Sequence, residues 1–202
     1  ILKVKDFTPY ITKIKASGAQ ALITGNWGAD MVGLAKAAQD SGLTIPLYTY
    51  YAAANGITKT FGKGGVDNVR LIGQGSTNPP LTAEWRKNLQ GFKALHPNED
   101  ITQSRIATAL RMMAKAMNQA KSTAPIKVAA ELEGMEFTTY WGDKVKMRAS
   151  DHQLQMPLRV FVHTDKNIEF DYDNSGFGLA NESTITAAEA STPTTCKMKR
   201  PS

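Results

Sequence analysis

The sequence predicts an α/β chain built on an open parallel sheet flanked by helices. Three observations lead there. Residues 21–24, 45–50 and 69–73 are short apolar runs of strand length. The stretches before and between the first two carry apolar residues at helical spacing. The connections are short, so helix and strand must alternate, and alternation of that kind produces parallel strands covered on both faces.

Taken in order, Phe7, Tyr10, Ile11 and Ile14 recur at i, i+3, i+4 and i+7, the stripe of an amphipathic helix. Thr8 and Pro9 suit its start, because proline lacks only an N–H that finds no partner in a first turn, and Gly18 suits its end. Met31, Leu34, Ala35 and Ala38 repeat the spacing up to Gly42. A turn or helix over 56–61 and the glycine-rich FGKGG lead into the third strand.

After GQGSTNPP (73–80) the texture changes. Leu81, Trp85, Leu89, Phe92 and Leu95 predict a helix stopped by Pro97. Ile106, Ala109, Leu110, Met113 and Met117 predict the core-facing stripe of a second, and residues 125–132 a shorter third. From Phe137 the pattern is strand-like: Leu158, Val160 and Val162 alternate with Arg159, Phe161 and His163. A turn over 164–167 then leads to Ile168, Phe170 and Tyr172. Beyond Asn181 large apolar residues are scarce, which reads as a surface or partly disordered tail. No internal repeat is visible.

With 202 residues, 42% hydrophobic and 21% charged, the composition supports one large core or two small ones. No apolar run approaches the roughly 18–20 residues of a membrane-spanning helix. The opening ILKVKDFTPY shows no leader pattern, and the chain reads as starting partway through a longer protein. The formal charge is +6, and half of it sits in Lys197, Lys199 and Arg200. Elsewhere both signs are interspersed, without the basic stripe that tracks a phosphate backbone, so no nucleic-acid partner is expected. The single cysteine, Cys196, is either a tolerated thiol or half of a bridge whose partner lies upstream.

Catalytic signatures are missing. FGKGG and GQGST do not fit a phosphate-binding loop, and no G-x-S-x-G elbow occurs. His96, His152 and His163 are far apart, with no metal-ligand spacing around them, so neither metal nor cofactor is expected. Glu131 and Glu133 point different ways on a helix, and exposure explains Asp171 and Asp173 around Tyr172. Asp151 and His152 are the only adjacent acid–imidazole pair. The chain is not expected to be an enzyme.

In open parallel sheets the crevice lies beyond the carboxyl ends of the strands. Asn26, Trp27, Tyr50 and Tyr51 follow two successive strands and are expected to line it. The competing reading has these aromatics capping the sheet edge or packing beneath a loop.

The succession of a helix, a strand ending ITGNWG, the helix AKAAQDSGL and the strand IPLYTYY resembles the periplasmic branched-chain amino-acid binding proteins of ABC transporters. VKMRASDHQLQMPLRVFVHT (145–164) resembles the return strand of the same family. The resemblance implies the type I, two-lobe fold with three crossovers, here only partial: a carboxyl-terminal half whose amino-terminal half is a missing partner. Residues 1–75 and 156–202 then belong to the second lobe and 76–155 to part of the first. Hinge crossovers fall near 73–80 and 151–157, with Gln74, Ser76, Asp151 and His152 on the hinge side of the cleft.

By the same resemblance, an aromatic after the first strand packs on the ligand, a place matched by Trp27, with Asn26 or Gly28 as its companion. An acidic residue after the next strand pairs with the ligand's ammonium group, and here Tyr51 stands in its place. A buried ammonium left without that charge forgoes about 1.5–3 kcal/mol. Trp27, Tyr50 and Tyr51 suit an aromatic or apolar acid, although their ring faces also accept a cation. The implied role is an extracytoplasmic solute-binding component of an ABC importer, periplasmic and made with a signal peptide upstream. It captures a small carboxylate-bearing ligand, an amino acid or an aromatic acid, by hinge closure and presents it to a membrane permease. The alternatives are a ligand-sensing regulatory protein of the same fold and, less favoured, an α/β enzyme.

Overall fold

In the computed structural model, which describes residues 4–53, 56–102 and 104–200, helix α1 (Thr8–Ala16) starts with proline in its first turn and leads past Gly18 into strand β1 (Leu22–Thr24). Helix α2 (Gly28–Asp40) and strand β2 (Leu47–Thr49) come next. Helix α3 (Ile57–Phe61), continued by one tighter turn, precedes strand β3 (Val69–Gly73). Then come α4 (Ala83–Leu95), α5 (Ser104–Ala120) and α6 (Pro125–Leu132). The strands β4 (Glu136–Thr138), β5 (Lys144–Met147), β6 (Leu154–Gln155), β7 (Leu158–Thr164) and β8 (Gly178–Ile185) complete the chain.

The first compact unit takes residues 1–102 and 159–183. Its sheet has the order β1-β2-β3-β7-β8. β1, β2 and β3 are parallel, with Leu22 beside Leu47 and Leu47 beside Val69, as strands joined by helical crossovers must be. β7 runs antiparallel to β3, so the parallel sheet carries an antiparallel addition on that side. Ile11, Met31, Leu34, Ala35, Leu47, Ile57, Phe61 and Val69 form one buried cluster between helices and sheet. Each large side chain there contributes about 1.5–3 kcal/mol by leaving water. On β7 the inward residues are Arg159, Phe161 and His163. β1 is an edge strand, and its Ile23 is 75% exposed.

Two expectations fail in this unit. Leu81 and Leu95 are exposed, so α4 buries only Trp85 and Leu89. Ile168, Phe170 and Tyr172 form no strand; instead the buried Asn78 takes over their backbone. Its amide nitrogen donates to the Phe170 carbonyl (2.9 Å), and its oxygen accepts the N–H groups of Glu169 and Phe170 (both 3.0 Å). One side chain thus replaces a sheet ladder, satisfying backbone groups that burial would otherwise make costly.

The second unit takes residues 103–158 and 184–202. α5 and α6 pack with an antiparallel sheet ordered β4-β5-β6. Its core is Met112, Ala116, Val128, Met135 and Val145. The predicted stripe of α5 is not the buried one. Thr108, Met112 and Ala116 face inward, whereas Ile106, Leu110 and Met113 are exposed. The carboxyl-terminal tail is a surface segment held by two arginines. Arg148 donates to the Thr192 carbonyl (2.7 Å), and Arg200 pairs with Glu133 (2.6 Å). Cys196 is exposed and free.

The chain passes between the units three times, after residues 102, 158 and 183. The bounds differ from those expected. Residues 76–102 pack with the first unit and 184–202 with the second, and the 73–80 segment lies inside the first unit, where Asn78 anchors it.

Candidate functional site

The candidate site grows from two threonines. Register places Thr24 at the end of β1 beside Thr49 at the end of β2, and both are buried. Each hydroxyl accepts the backbone N–H two residues on, that of Asn26 (3.2 Å) and of Tyr51 (3.1 Å). These local bonds turn the chain out of the sheet in the same manner at both strands. The Thr24 hydroxyl also donates to Asn26 Oδ1 (2.5 Å), fixing that amide.

Both turns carry aromatic side chains that stand open to solvent. Trp27 is 54% exposed, Tyr50 58% and Tyr51 37%. Trp27 stands at the N-cap of α2 in extended conformation, and Gly28 behind it has φ 57°, a left-handed backbone that side chains disfavour. Glycine is therefore what lets the helix begin directly after the tryptophan. The second loop is held from the far side too. The Thr58 hydroxyl donates to the Ala52 carbonyl (2.8 Å), and Asp173 accepts the N–H groups of Gly56 (2.9 Å) and Lys59 (3.3 Å) at the start of α3.

β3 runs parallel to β2, so Gln74 and Ser76 emerge at the same end of the sheet as Asn26, Trp27, Tyr50 and Tyr51. Gln74 is half-buried; Ser76 is buried, and its carbonyl accepts the Trp85 indole N–H (2.8 Å). These six expected residues share one sheet end. The segments 25–28, 50–53 and 73–76 contain no Asp, Glu, Lys or Arg. These three segments thus offer rings, amides and hydroxyls; a formal charge stands at this sheet end on the neighbouring β7, where the buried Arg159 is paired with Gly73.

Asp151 and His152 belong to the second unit. The Arg148 guanidinium grips Asp151 through both carboxylate oxygens (2.8 and 2.5 Å) and holds its carboxyl far below the ordinary carboxylate range. His152 Nε2 lies 3.3 Å from Glu133 Oε1, and Arg200, then His152, hold the Glu133 carboxyl low as well. Asp151 thus serves in an ion pair with Arg148, and His152 in a hydrogen bond with the Glu133 carboxylate. Among the described residues no group of three or more His, Cys, Asp or Glu side chains is placed to hold a metal ion.

Sequence reasoning missed Thr24, Thr49, Thr58 and Asp173, which shape the site without facing solvent as the rings do. A signal for two of them was present, since Thr24 and Thr49 both stand two residues before the amide they accept, at the ends of apolar runs. Asp173 gave none; it acts on a backbone 117 positions away. Asp173 is half-buried where exposure was expected, and Asp171, also half-buried, accepts the Gly176 N–H (2.8 Å).

The sequence profile of the periplasmic binding proteins matches residues 2–167. The chain belongs to that family. A relative from Brucella abortus, "Leu/Ile/Val-binding protein homolog 4", is 27% identical over 98% of this chain and 49% of its own length. Among solved structures, the leucine-, isoleucine-, valine-, threonine- and alanine-binding protein of Brucella ovis, in a closed conformation, matches with a TM-score of 0.85 and 24% identity. That match covers 100% of this chain and 52% of the other. A solute-binding protein of an ABC transporter from Rhodopseudomonas palustris, in complex with p-hydroxybenzoic acid, matches with a TM-score of 0.73 and 17% identity. It covers 92% of this chain and 50% of that one. The fold is thus that of the two-lobe binding proteins, of which this chain spans about half the length.

Proposed function

We propose that this chain is part of the extracytoplasmic solute-binding component of an ABC importer, working in the periplasm. Its task is to capture a small carboxylate-bearing ligand in a cleft between two lobes and to deliver it to a membrane permease. The observation that carries this reading is the set of three exposed rings, Trp27, Tyr50 and Tyr51, following parallel strands that end together. Rings left in water at one end of a rigid sheet can stack on a ligand, and the adjacent amides and hydroxyls can orient it. No covalent step is needed. A ligand that gains contacts only in the closed form shifts the open–closed balance by its differential affinity.

The absence of formal charge in the three strand-end segments favours an aromatic acid over an aliphatic amino acid on this side of the cleft. Family relatives support both classes, since one is named for amino acids and another holds p-hydroxybenzoic acid. The test is a thermal-shift screen of the entire gene product containing this chain against aliphatic amino acids, hydroxybenzoates and dicarboxylates. A bound ligand at 100 times its Kd stabilises by about 2.7 kcal/mol, a readable rise in melting temperature. Trp27→Ala and Tyr51→Ala are each expected to weaken that ligand at least tenfold. Unchanged affinity in both variants refutes the assignment of the site.

A further inference from the structure

The ends of β1 and β2 turn alike but differ in the residue two places past the threonine, Asn26 after Thr24 and Tyr51 after Thr49. A threonine hydroxyl has one proton to give and two lone pairs. That of Thr24, which is buried, already accepts the Asn26 backbone N–H (3.2 Å), so its own proton needs an acceptor. The Asn26 side chain supplies one at 2.5 Å, a length suited to O–H···O and short for N–H···O. Proton count and distance therefore agree that the amide oxygen faces Thr24. The amide nitrogen is turned the other way. Among the described residues it meets no acceptor, and it is not sealed from solvent.

Two amide protons thus make the end of β1 a hydrogen-bond donor. Helix α2 opens at Gly28 without a side-chain cap, and its dipole adds positive potential there, offset in part by Asp30 in the first turn. At the end of β2 the Tyr51 phenol can donate or accept, so it imposes no polarity of its own. We propose, on the reading that the three rings mark the ligand site, that Thr24 is a positioning residue that locks the sense of the Asn26 amide. This strand end then selects ligands presenting an oxygen acceptor and disfavours an ammonium group. An ammonium has only donors; against an amide NH2 it loses water and gains no partner. Selection comes as much from that mismatch as from the bond made to oxygen.

The test is titration calorimetry of the complete gene product with two pairs of probes, each differing in one group. One pair is L-leucine and its α-keto acid, which carries a carbonyl in place of the ammonium group. The other is p-(aminomethyl)benzoate and p-hydroxybenzoate. The native protein is expected to favour the oxygen member about tenfold. In Thr24→Val, which keeps the branched shape and removes the hydroxyl, that ratio falls toward unity; Thr24→Ser retains it. Asn26→Asp puts an acceptor where the amide donated and reverses the preference, whether or not the valine variant folds. Trp27→Ala reports on the site itself and weakens both members of a pair alike. A ratio unchanged in Asn26→Asp and Thr24→Val overturns the proposal. If Trp27→Ala still weakens binding in that case, the ligand site survives without it; if not, both fall. A native protein that binds neither pair, or prefers the ammonium member, overturns it as well.

Discussion

His163 is fully buried in β7, stacked on Phe177 with ring centroids 5.2 Å apart. Its Nε2 lies 2.8 Å from the Gly62 carbonyl, which can only accept, so the ring donates there and carries its proton on Nε2. Nδ1 has no hydrogen-bond partner, and a second proton would be stranded in the core. Burial therefore pushes the imidazole below its ordinary value of 6.5, opposed in part by the Gly62 bond and by Asp165. In the unfolded chain the same ring takes up a proton near that ordinary value. Stability from this residue is thus complete above pH 6.5 and is lost as the pH falls below it, by at most about 1.4 kcal/mol per unit. Urea midpoints at pH 7.5 and 5.5 should separate more in the native chain than in His163→Gln, whose amide keeps a donor for Gly62; identical separations refute the assignment. The strand alternation showed that His163 shares a side with Arg159 and Phe161. It did not show which side faces in, because Leu158, Val160 and Val162 are the more apolar set and are only half-buried.

Among the elements, α3 shows how a short helix depends on a distant side chain. Its five residues are too few to stand alone, and its first N–H groups have no partner within the helix. The Asp173 carboxylate supplies one from the other end of the unit, and so fixes where the loop bearing Tyr50 and Tyr51 comes to rest. Asp173 has φ 58°, a conformation that asparagine also tolerates, so Asp173→Asn tests the charge without straining the backbone. The expected cost is about 1 kcal/mol, together with faster amide exchange across residues 56–61. Exchange no faster than in the native chain would show that the helix does not need the carboxylate. The helices and parallel strands of the first unit were legible because spacing and turn residues agreed. α5 was misphased for a physical reason: its most hydrophobic stripe is the one left uncovered here, while threonine and alanine make the close approach to the core.

For the molecule as a whole, glycine and proline proved poor guides to where one compact unit gives way to the next. The GQGSTNPP segment has the composition of a hinge, yet Asn78 binds it into the first unit. The passage after residue 102 falls instead in a polar stretch, NEDITQS, with neither glycine nor proline. Composition reports where the backbone bends and not which body it bends toward; that depends on single side-chain anchors with no sequence periodicity. The placement of the rings at one sheet end was more legible than the bounds, because it requires only that strands be found. Its supports were less so, since they act across the fold.

The rim of the first sheet has a practical consequence. Among the described residues β1 has a strand partner on one side only, with the aliphatic Ile23 at its middle and nothing charged among its three residues to repel a similar strand. Two such rims are complementary to each other. The 202-residue chain produced alone is therefore expected to scatter more light as it is concentrated, and Ile23→Lys to keep it dispersed. Scattering that is flat with concentration in the native sequence would mean that this border guards itself.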